Sequence, residues 1–141
     1  MTPVRFLIDT SAVVRMVRNS MLRDRWQAQI TAGVVAVCPI VQLELLHSSR
    51  SKADREEQLQ LLGATFAWAL MPDRIFMRAA EVQEAMTSRG THRSAGTVDL
   101  LTAAAAELHG VPLIHYDHDF DEVRKVTGQA MVWVASPGTI D

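Results

Sequence analysis

The sequence predicts an α/β fold with a mostly parallel central sheet and helices on both faces, giving three layers. Two observations carry this prediction. Short apolar segments alternate along the chain with longer segments of helical composition, which is the pattern of parallel sheets. The short segments are also apolar at successive positions, as expected for strands that are buried on both faces.

The predicted strands and helices begin and end at recognisable residues. Asp9 ends the first strand, and Pro39 begins a helix at the position that proline prefers. Gly110 follows an Ala-rich helix where a C-cap is expected, and Pro112 prevents that helix from extending. The predicted order is strand 4–8, helix 11–19, helix 21–32, strand 34–38, helix 39–50, helix 53–63, strand 66–70, helix 73–88, helix 96–109, strand 111–115, helix 119–127 and strand 131–134.

Length, charge and cysteine content limit the possible classes of protein. A chain of 141 residues suffices for one domain with a sizeable core, and we expect a single domain over residues 1–141. The formal net charge of −2 excludes a generally basic nucleic-acid-binding protein, so any positive charge for RNA must be local. The single cysteine, Cys38, is expected in the core and fits a reducing cytoplasm. We expect no signal peptide and no membrane segment.

Acidic residues stand where several of these elements begin or end. Asp9 follows the first strand, Asp117 follows the fourth, and Asp99 lies in the first turn of the Ala-rich helix. In an α/β sheet, strand carboxyl ends and adjoining helix N-termini share one edge, where ligands bind. Glu44 is predicted on the apolar side of helix 39–50, where a carboxylate is costly unless something pairs with it.

A group of four acids at one edge needs a partner of opposite charge. At about 6 Å and an effective dielectric constant of about 20, each like-charged pair repels by about 3 kcal/mol. Such a site takes up protons or binds a cation, and an all-oxygen ligand set suits Mg²⁺ or Mn²⁺. A metal bound there activates water and neutralises charge that develops on a phosphate.

Each acid also has a purely structural interpretation. Asp9 could cap the following helix, Asp99 could favour the helix dipole, and Glu44 could form a buried ion pair with an arginine. Asp119 precedes Glu122 by three residues, as in a capping box. The sequence therefore assigns Asp117 to the site, with Asp119 as a cap or an outer ligand.

Four short motifs in this order resemble those of the PIN-domain ribonucleases, and among them the VapC toxins of type II toxin–antitoxin pairs. The motifs are Asp9-Thr10-Ser11, Glu44 within Val41-Gln42-Leu43-Glu44-Leu45, Asp99-Leu100-Leu101 with the alanines that follow, and Asp117-His118-Asp119-Phe120. Each motif is weak alone, whereas four in this order and context are fairly specific. The resemblance covers nearly the whole chain.

The resemblance implies a PIN-like fold and a metal-dependent endoribonuclease that leaves a 5′-phosphate and a 3′-hydroxyl. Asp9, Glu44, Asp99 and Asp117 would be catalytic, and Asp9, Asp99 and Asp117 would hold Mg²⁺ or Mn²⁺. It also implies an RNA substrate and a VapB-type antitoxin that holds the nuclease inactive. A homodimer or a larger toxin–antitoxin hetero-oligomer is expected.

Further polar residues are candidates for contacts with the substrate. Hydroxyl groups that could position water or a phosphate oxygen are those of Thr10, Ser11 and Thr97. Local positive charge for RNA could come from Arg15, Arg89, His92 and Arg93, although a solvated surface accounts for these residues equally well.

Other classes of protein remain open. A receiver domain also binds Mg²⁺ at sheet carboxyl ends. It requires a pair of acids after the first strand, where this chain has Asp9 and Thr10, and a lysine after the last parallel strand, where this chain has Tyr116 and Asp117. The sequence Asp117-His118-Asp119 resembles the start of a haloacid-dehalogenase phosphatase, at the wrong end of the chain. A non-catalytic protein-interaction module is the third alternative, and the set of acids argues against it.

The expected antitoxin could bind in two ways. It could insert an arginine or lysine among the four acids, in place of the metal. It could also lay an amphipathic helix into a groove between two apolar helices, unless these are used for the core or for a homodimer. The apolar residues predicted to line this groove are Val13, Val14, Val17, Leu22 and Trp26 of helix 11–32, and Leu59, Leu61 and Leu62 of helix 53–63.

Overall fold

The structure is a computed structural model that describes residues 3–141, in which parallel strands alternate with helices. The elements are β1 (Phe6–Ile8), α1 (Thr10–Arg18), α2 (Ser20–Thr31), β2 (Val35–Val37), α3 (Pro39–Leu46), α4 (Lys52–Thr65), β3 (Ala67–Trp68), α5 (Ile75–Ser88), α6 (Thr97–His109), β4 (Leu113–His115), α7 (Asp119–Thr127) and β5 (Met131–Trp133).

The central sheet has the strand order β3-β2-β1-β4-β5, and its four strand pairs are all parallel. Leu7 in the middle strand lies opposite Ala36 on one side and Leu113 on the other. Leu7 and Leu113 are fully buried, because helices flank the sheet. The α/β class, with a mostly parallel sheet between layers of helices, is therefore confirmed.

The order of the strands creates a crevice beside β1. The chain adds β2 and then β3 on one side of β1, and it returns to place β4 and β5 on the other side. The carboxyl ends of β1 and β4 therefore flank a topological switch point, where ligands bind in sheets of this kind. Asp9 follows β1 directly, and Asp117 lies two residues beyond β4.

Helix α6 is the most deeply buried helix that the structure describes, and its small side chains explain this position. Every residue from Leu100 to Ala106 is buried. Alanine side chains allow neighbouring helices to approach closely, and α6 packs against α3, α5 and α7. The helix ends at Gly110 in the left-handed conformation, with φ of 70°, as the C-cap prediction required. Asp99 is thereby held in the first turn of a rigid helix.

Some boundaries differ from the prediction. The strands are shorter than predicted, and helix α3 ends at Leu46 rather than at residue 50. The carboxylate of Asp54 in α4 accepts a 2.8 Å hydrogen bond from the backbone N–H of Arg50. The N–H of Arg50 therefore has a hydrogen-bond partner without continuing α3 to residue 50.

The core contains both Cys38 and Trp26. Cys38 is fully buried, as predicted, and burial raises the pKa of its thiol. The ring nitrogen of Trp26 donates a 3.1 Å hydrogen bond to the carbonyl of Val134, and its ring packs edge-on against Phe6 at 5.8 Å. The prediction that Trp26 lines a docking groove is therefore wrong. Leu22 is buried as well, at 2% exposure.

None of the described helices is long and apolar enough to cross a membrane.

Candidate metal centre

Three carboxylates meet at the carboxyl edge of the sheet. Oxygen atoms of Asp99, Asp117 and Asp119 all lie within 4.8 Å of one another, which is close enough for all three to contact one cation. Asp99 comes from the first turn of α6, whereas Asp117 and Asp119 come from the link between β4 and α7 and from the first residue of α7. The start of α6 and the segment after β4 thus bring their acids together at the switch point.

Asp9 is the most buried of these acids, and its two oxygens have different surroundings. It is only 3% exposed. Oδ2 accepts hydrogen bonds from the backbone N–H of Ser11 at 3.0 Å and from its hydroxyl at 2.6 Å. Oδ1 is buried and has no hydrogen-bond partner among the described residues. Asp9 does cap α1, as its structural interpretation expected, and this leaves its second oxygen unpaired.

The pKa values indicate that the acids repel one another. The pKa of Asp99 is raised to about 6, mainly by burial and in addition by the charges of Asp9, Asp117 and Asp119, against a hydrogen bond from the Gly96 backbone that lowers it. Burial also raises the pKa of Asp9, against hydrogen bonds from Ser11 that lower it, and the charge of Glu44 adds to the rise. The pKa of Asp119 is raised by burial and by the charge of Asp117. A cation would relieve these repulsions.

Glu44 is exposed, so the prediction that it lies on a buried, apolar side of its helix is wrong. The reason is that α3 carries apolar residues all around its circumference, so its sequence does not mark one buried side. Val41 is fully buried, whereas Leu43 is 60% exposed. No ion pair in residues 3–141 involves Glu44, so the alternative of a buried salt bridge fails too. Its charge still acts on Asp9.

Asp119 is not a helix cap. His118 is the N-cap residue of α7 and makes no side-chain capping bond, and Asp119 is the first residue of the helix. Oδ1 of Asp117 instead accepts a 2.9 Å hydrogen bond from the backbone N–H of Asp119. The predicted capping box with Glu122 is therefore wrong, and the Asp119 side chain joins the carboxylate cluster.

The candidate hydroxyl groups have different environments. Ser11 connects two elements, because its oxygen also accepts a 2.9 Å hydrogen bond from the backbone N–H of Tyr116. The hydroxyl of Thr10 is buried and has no partner in the part of the chain that the structure describes. Thr97 is the exposed first residue of α6.

None of the candidate basic residues forms an ion pair with the acids in the described part of the chain. The guanidinium of Arg15 lies over the ring of Tyr116, 5.2 Å from its centre, and donates to the carbonyl of Ser11. The other three are exposed between α5 and α6, and no hydrogen bond or ion pair within residues 3–141 joins them to the acids; they are Arg89, His92 and Arg93.

Sequence reasoning missed His115 as a support for the site. His115 is 1% exposed, and its Nδ1 accepts a 3.2 Å hydrogen bond from the backbone N–H of Asp117. Burial lowers the pKa of its imidazole to about 4, so the ring is neutral at physiological pH. Its ring packs against Trp133, with centres 4.6 Å apart. The available signal was a polar residue at the end of an apolar strand, just before the acids.

The residues present fit a divalent cation. All donors are carboxylate oxygens, which hard cations prefer over soft ones. The buried, unpaired Oδ1 of Asp9 is costly without a partner of opposite charge. The pKa of Asp99 is raised chiefly by burial and further by the negative charges of its neighbours, and a bound cation would offset that negative charge. A metal held here would activate water and stabilise charge on a phosphate.

Comparison with known proteins agrees with this geometry. A family model described as PIN domain matches residues 6–126. Ribonuclease VapC21 of Mycobacterium tuberculosis is 38% identical over 135 residues, covering 96% of this chain and 97% of that protein. Ribonuclease VapC18 of the same organism is 36% identical over 137 residues, covering 96% of this chain and 98% of that protein.

A solved structure has the same fold. A chain in the crystal structure of DNA-bound VapBC from Salmonella typhimurium superposes with a TM-score of 0.74. The superposition covers 94% of this chain and 99% of that one, at 14% sequence identity. A parallel sheet with carboxylates at its switch point is thus the architecture of a PIN domain. The chain belongs to the PIN-domain family, and its full-length relatives place it among the VapC proteins.

Proposed function

We propose that this protein is a metal-dependent endoribonuclease and the toxin of a type II toxin–antitoxin pair. The observation that carries the proposal is the meeting of Asp99, Asp117 and Asp119 beside the unpaired, buried oxygen of Asp9. The relatives named Ribonuclease VapC, which align over nearly the whole chain, support it independently.

The cation is Mg²⁺ or Mn²⁺, because an all-carboxylate set with room for water ligands suits these ions. Asp99, Asp117 and Asp119 would supply ligand oxygens, and Oδ1 of Asp9 would be a further ligand or a base for the attacking water. Glu44 acts at the exposed side of the site through its charge. When it is bound, the cation offsets negative charge on the phosphate.

The chain's own residues position these groups. Ser11 fixes Oδ2 of Asp9 with two hydrogen bonds. The backbone N–H of Asp119 fixes Oδ1 of Asp117. Asp99 holds a proton more readily than an ordinary carboxylate and releases it as a cation approaches, because its pKa is about 6. The Thr10 hydroxyl is available to position water or a phosphate oxygen.

A receiver or phosphatase-like domain is not favoured. A receiver domain requires a second acid where Thr10 stands and a late lysine where Tyr116 and Asp117 stand, and the phosphatase-like motif lies at the wrong end of the chain. A purely non-catalytic interaction module gives no reason for a buried carboxylate with an unpaired oxygen. We propose a cytoplasmic location, because the cytoplasm contains the RNA substrate and keeps thiols such as that of Cys38 reduced.

The partner is a VapB-type antitoxin with an amphipathic segment. A groove of about 500 Å³ lies between α1, α2 and α4. Its apolar lining, called here the α1–α4 groove, consists of Val13, Met16, Val17, Ile30, Leu61, Leu62 and Phe66. A second hollow of about 270 Å³ shares Val17 and Leu61 and extends the apolar surface to Val14 and Leu45. Val17 and Leu61 are 62% and 60% exposed, which a helix laid in the groove would cover.

The acidic cluster offers the antitoxin a second anchor. An arginine inserted there would pair with carboxylates such as Asp99 and Asp117 and would compete with the metal. Inhibition would then combine an apolar contact that gives affinity with a cation that blocks the chemistry. A homodimer or a larger hetero-oligomer with the antitoxin completes the assembly that we propose.

The test is cleavage of total cellular RNA by the purified protein, with and without millimolar Mg²⁺ or Mn²⁺. Asp9→Asn, Glu44→Gln, Asp99→Asn and Asp117→Asn are each expected to remove most cleavage while the fold survives. Asp119→Asn is included in the same test, because the Asp119 side chain lies in the cluster. Cleavage that proceeds equally well in EDTA, or in all five variants, would overturn the proposal.

A further inference from the structure

Four aromatic rings gather beside the carboxylates, around the carboxyl end of β5. Trp133 is the last residue of β5 and lies opposite His115 in the neighbouring strand. Its ring centre is 4.6 Å from that of His115, 5.6 Å from that of Tyr116 and 4.9 Å from that of His118. The Tyr116 and His118 rings both meet it edge-on, with interplanar angles of 90° and 62°.

Two of these rings are fixed from within the protein. His115 is buried and bonded to the backbone of Asp117. The Tyr116 hydroxyl donates to the carbonyl of Ile140 at 3.0 Å and accepts from the backbone N–H of Gly138 at 2.9 Å. Trp133 therefore packs against two rings whose positions are restrained by hydrogen bonds. A supported aromatic ring loses little conformational entropy when a flat ligand stacks on it.

The other side of this cluster is open to solvent. The His118 side chain is 73% exposed, and Trp133 is only partly buried. Nδ1 of His118 lies 2.9 Å from Oδ2 of Asp121, which orients the ring while leaving it accessible. The exposed face of this imidazole is therefore accessible to a ligand.

The open rings adjoin the carboxylate cluster directly. His118 stands in the chain between Asp117 and Asp119, two of the three acids that can contact one cation. A ligand that places a phosphate at the acids would therefore carry its neighbouring groups past His118. In a nucleic acid, the groups that neighbour a phosphate are the two flanking nucleosides.

The charges show why such a ligand needs contacts other than ion pairs. The chain has a net charge of −2, and the acids repel phosphate until a cation is bound. Of the basic candidates, Arg15 lies over the Tyr116 ring, and none forms an ion pair with the acids within residues 3–141. Base stacking on aromatic side chains is worth about 1–3 kcal/mol per base and does not depend on charge.

We propose that His118 and Trp133 form a stacking site for a nucleobase next to the scissile phosphate. This inference rests on the proposed ribonuclease function and adds a substrate-binding subsite to it. The two rings are inclined at 62° to each other, so a base stacks flat on one ring and contacts the edge of the other. Stacking tolerates any base. The subsite thus contributes to affinity for single-stranded RNA, in which bases are free to leave the stack.

The first experiment compares His118→Ala with His118→Phe in steady-state RNA cleavage. Losing the ring is expected to raise KM about tenfold with kcat nearly unchanged, because stacking binds substrate and transition state alike. Phenylalanine restores a flat ring but no ionisable group, so His118→Phe should regain most of the affinity. A role in proton transfer would instead lower kcat in both variants.

The matched control is His109→Ala. His109 is also an exposed histidine, and it lies at the far end of α6, about 15 Å from Asp99 at 1.5 Å per residue. Its loss removes a bond to the Leu70 carbonyl and should leave KM unchanged. Thermal melting of all three variants should stay close to wild type, since neither histidine is buried.

The second experiment measures binding without cleavage. A phosphorothioate-linked oligoadenylate is added in Mg²⁺ to Trp68→Phe protein. The substitution removes the fluorescence of Trp68, which is 48% exposed. Quenching of the remaining fluorescence is expected, and it should vanish when Trp133→Phe is added. The partly buried Trp133 keeps an aromatic ring in that variant, so the fold is preserved.

The outcomes separate this inference from the function on which it rests. If wild-type protein cleaves RNA and His118→Ala has the same KM, the stacking site is wrong while the nuclease stands. Absence of quenching in Trp68→Phe protein that binds oligoadenylate would also refute it. If wild-type protein neither binds nor cleaves RNA, the proposed function itself fails and the subsite with it.

Discussion

Ser11 and Tyr116 lie 105 positions apart in the chain, yet the backbone N–H of Tyr116 donates a 2.9 Å hydrogen bond to the Ser11 hydroxyl oxygen. The same hydroxyl donates a 2.6 Å hydrogen bond to Oδ2 of Asp9. One side chain thus joins the ends of β1 and β4, and it aligns the two segments that carry Asp9 and Asp117. The position of the site depends on this link as much as on the acids.

Replacing Ser11 with alanine should therefore destabilise the protein by about 1–3 kcal/mol, because a backbone donor and a buried carboxylate each lose a partner. Urea denaturation measures this change. The matched control is Thr10→Val, which removes a neighbouring hydroxyl that has no hydrogen-bond partner among residues 3–141. It should change stability by less than about 0.5 kcal/mol. Equal effects of the two substitutions would contradict a specific role for the Ser11 link.

Metal binding should appear in the melting temperature. Without metal, Asp99→Asn is expected to melt higher than wild type, because it removes one of the mutually repelling charges. Millimolar Mg²⁺ or Mn²⁺ should stabilise wild type and should stabilise Asp99→Asn less. Asp9→Asn is a poorer test, since its amide would place a donor where the buried Oδ1 has no partner among the described residues. A wild-type melting temperature that ignores both metals would argue against a shared cation site.

The pH dependence of metal-free stability should contain two opposed contributions. Asp99 has a pKa raised from 3.8 to about 6, so the native state binds more protons than the unfolded chain between these values. Its contribution to stability therefore falls as pH rises through that window. His115 has a pKa lowered from 6.5 to about 4, so its contribution is present above pH 6.5 and is lost as pH falls toward 4.

Asp99→Asn separates the two contributions. The variant should exceed wild type in stability at neutral pH by about 1 kcal/mol after allowance for solvent screening, and the difference should disappear near pH 4. The variant keeps the loss of stability that His115 causes as the pH is lowered, together with the opposite contributions of Asp9 and Asp119, whose pKa values are also raised. Urea denaturation of both metal-free proteins at a series of pH values checks this. Parallel profiles for the two proteins would show that Asp99 does not titrate in this range.

Antitoxin binding should depend on the α1–α4 groove. Leu61→Gln places a polar group in the groove and should weaken binding at least tenfold, while stability changes little because Leu61 is 60% exposed. Leu43→Gln is the matched control, since Leu43 is equally exposed at 60% and does not line the groove. Calorimetry with the cognate antitoxin measures both. Equal affinities of the two variants would remove the groove from the interface.

The sequence predicted the elements well because local signals determine them. Turn residues and runs of apolar residues locate the strands and helices, and Gly110 adopts the left-handed C-cap conformation that its position indicated. Alternating strands and helices give a parallel sheet, in which all strand carboxyl ends lie at one edge. The alternation alone therefore predicts that Asp9 and Asp117 lie at the same edge. Their assignment as catalytic residues stays a prediction.

The errors concern properties that non-local contacts decide. Glu44 lies on a helix whose apolar residues surround it, so periodicity does not identify the solvent side. Trp26 is held in the core by a hydrogen bond to Val134, 108 positions away, which no local pattern reveals. Asp119 belongs to the cluster because the Asp117 side chain accepts its backbone N–H, and a three-residue spacing to Glu122 does not distinguish that geometry from a capping box.

The position of β1 in the middle of the sheet has a consequence for synthesis on the ribosome. β1 is made first, but its partner β4 is completed only at His115, when most of the chain has already been translated. Closing so long a loop makes this pairing a late event in folding. Asp9 meets Asp117 only after this pairing, so a chain terminated before β4 contains no assembled site. The proposed nuclease activity would therefore belong only to chains translated beyond the acids that follow β4.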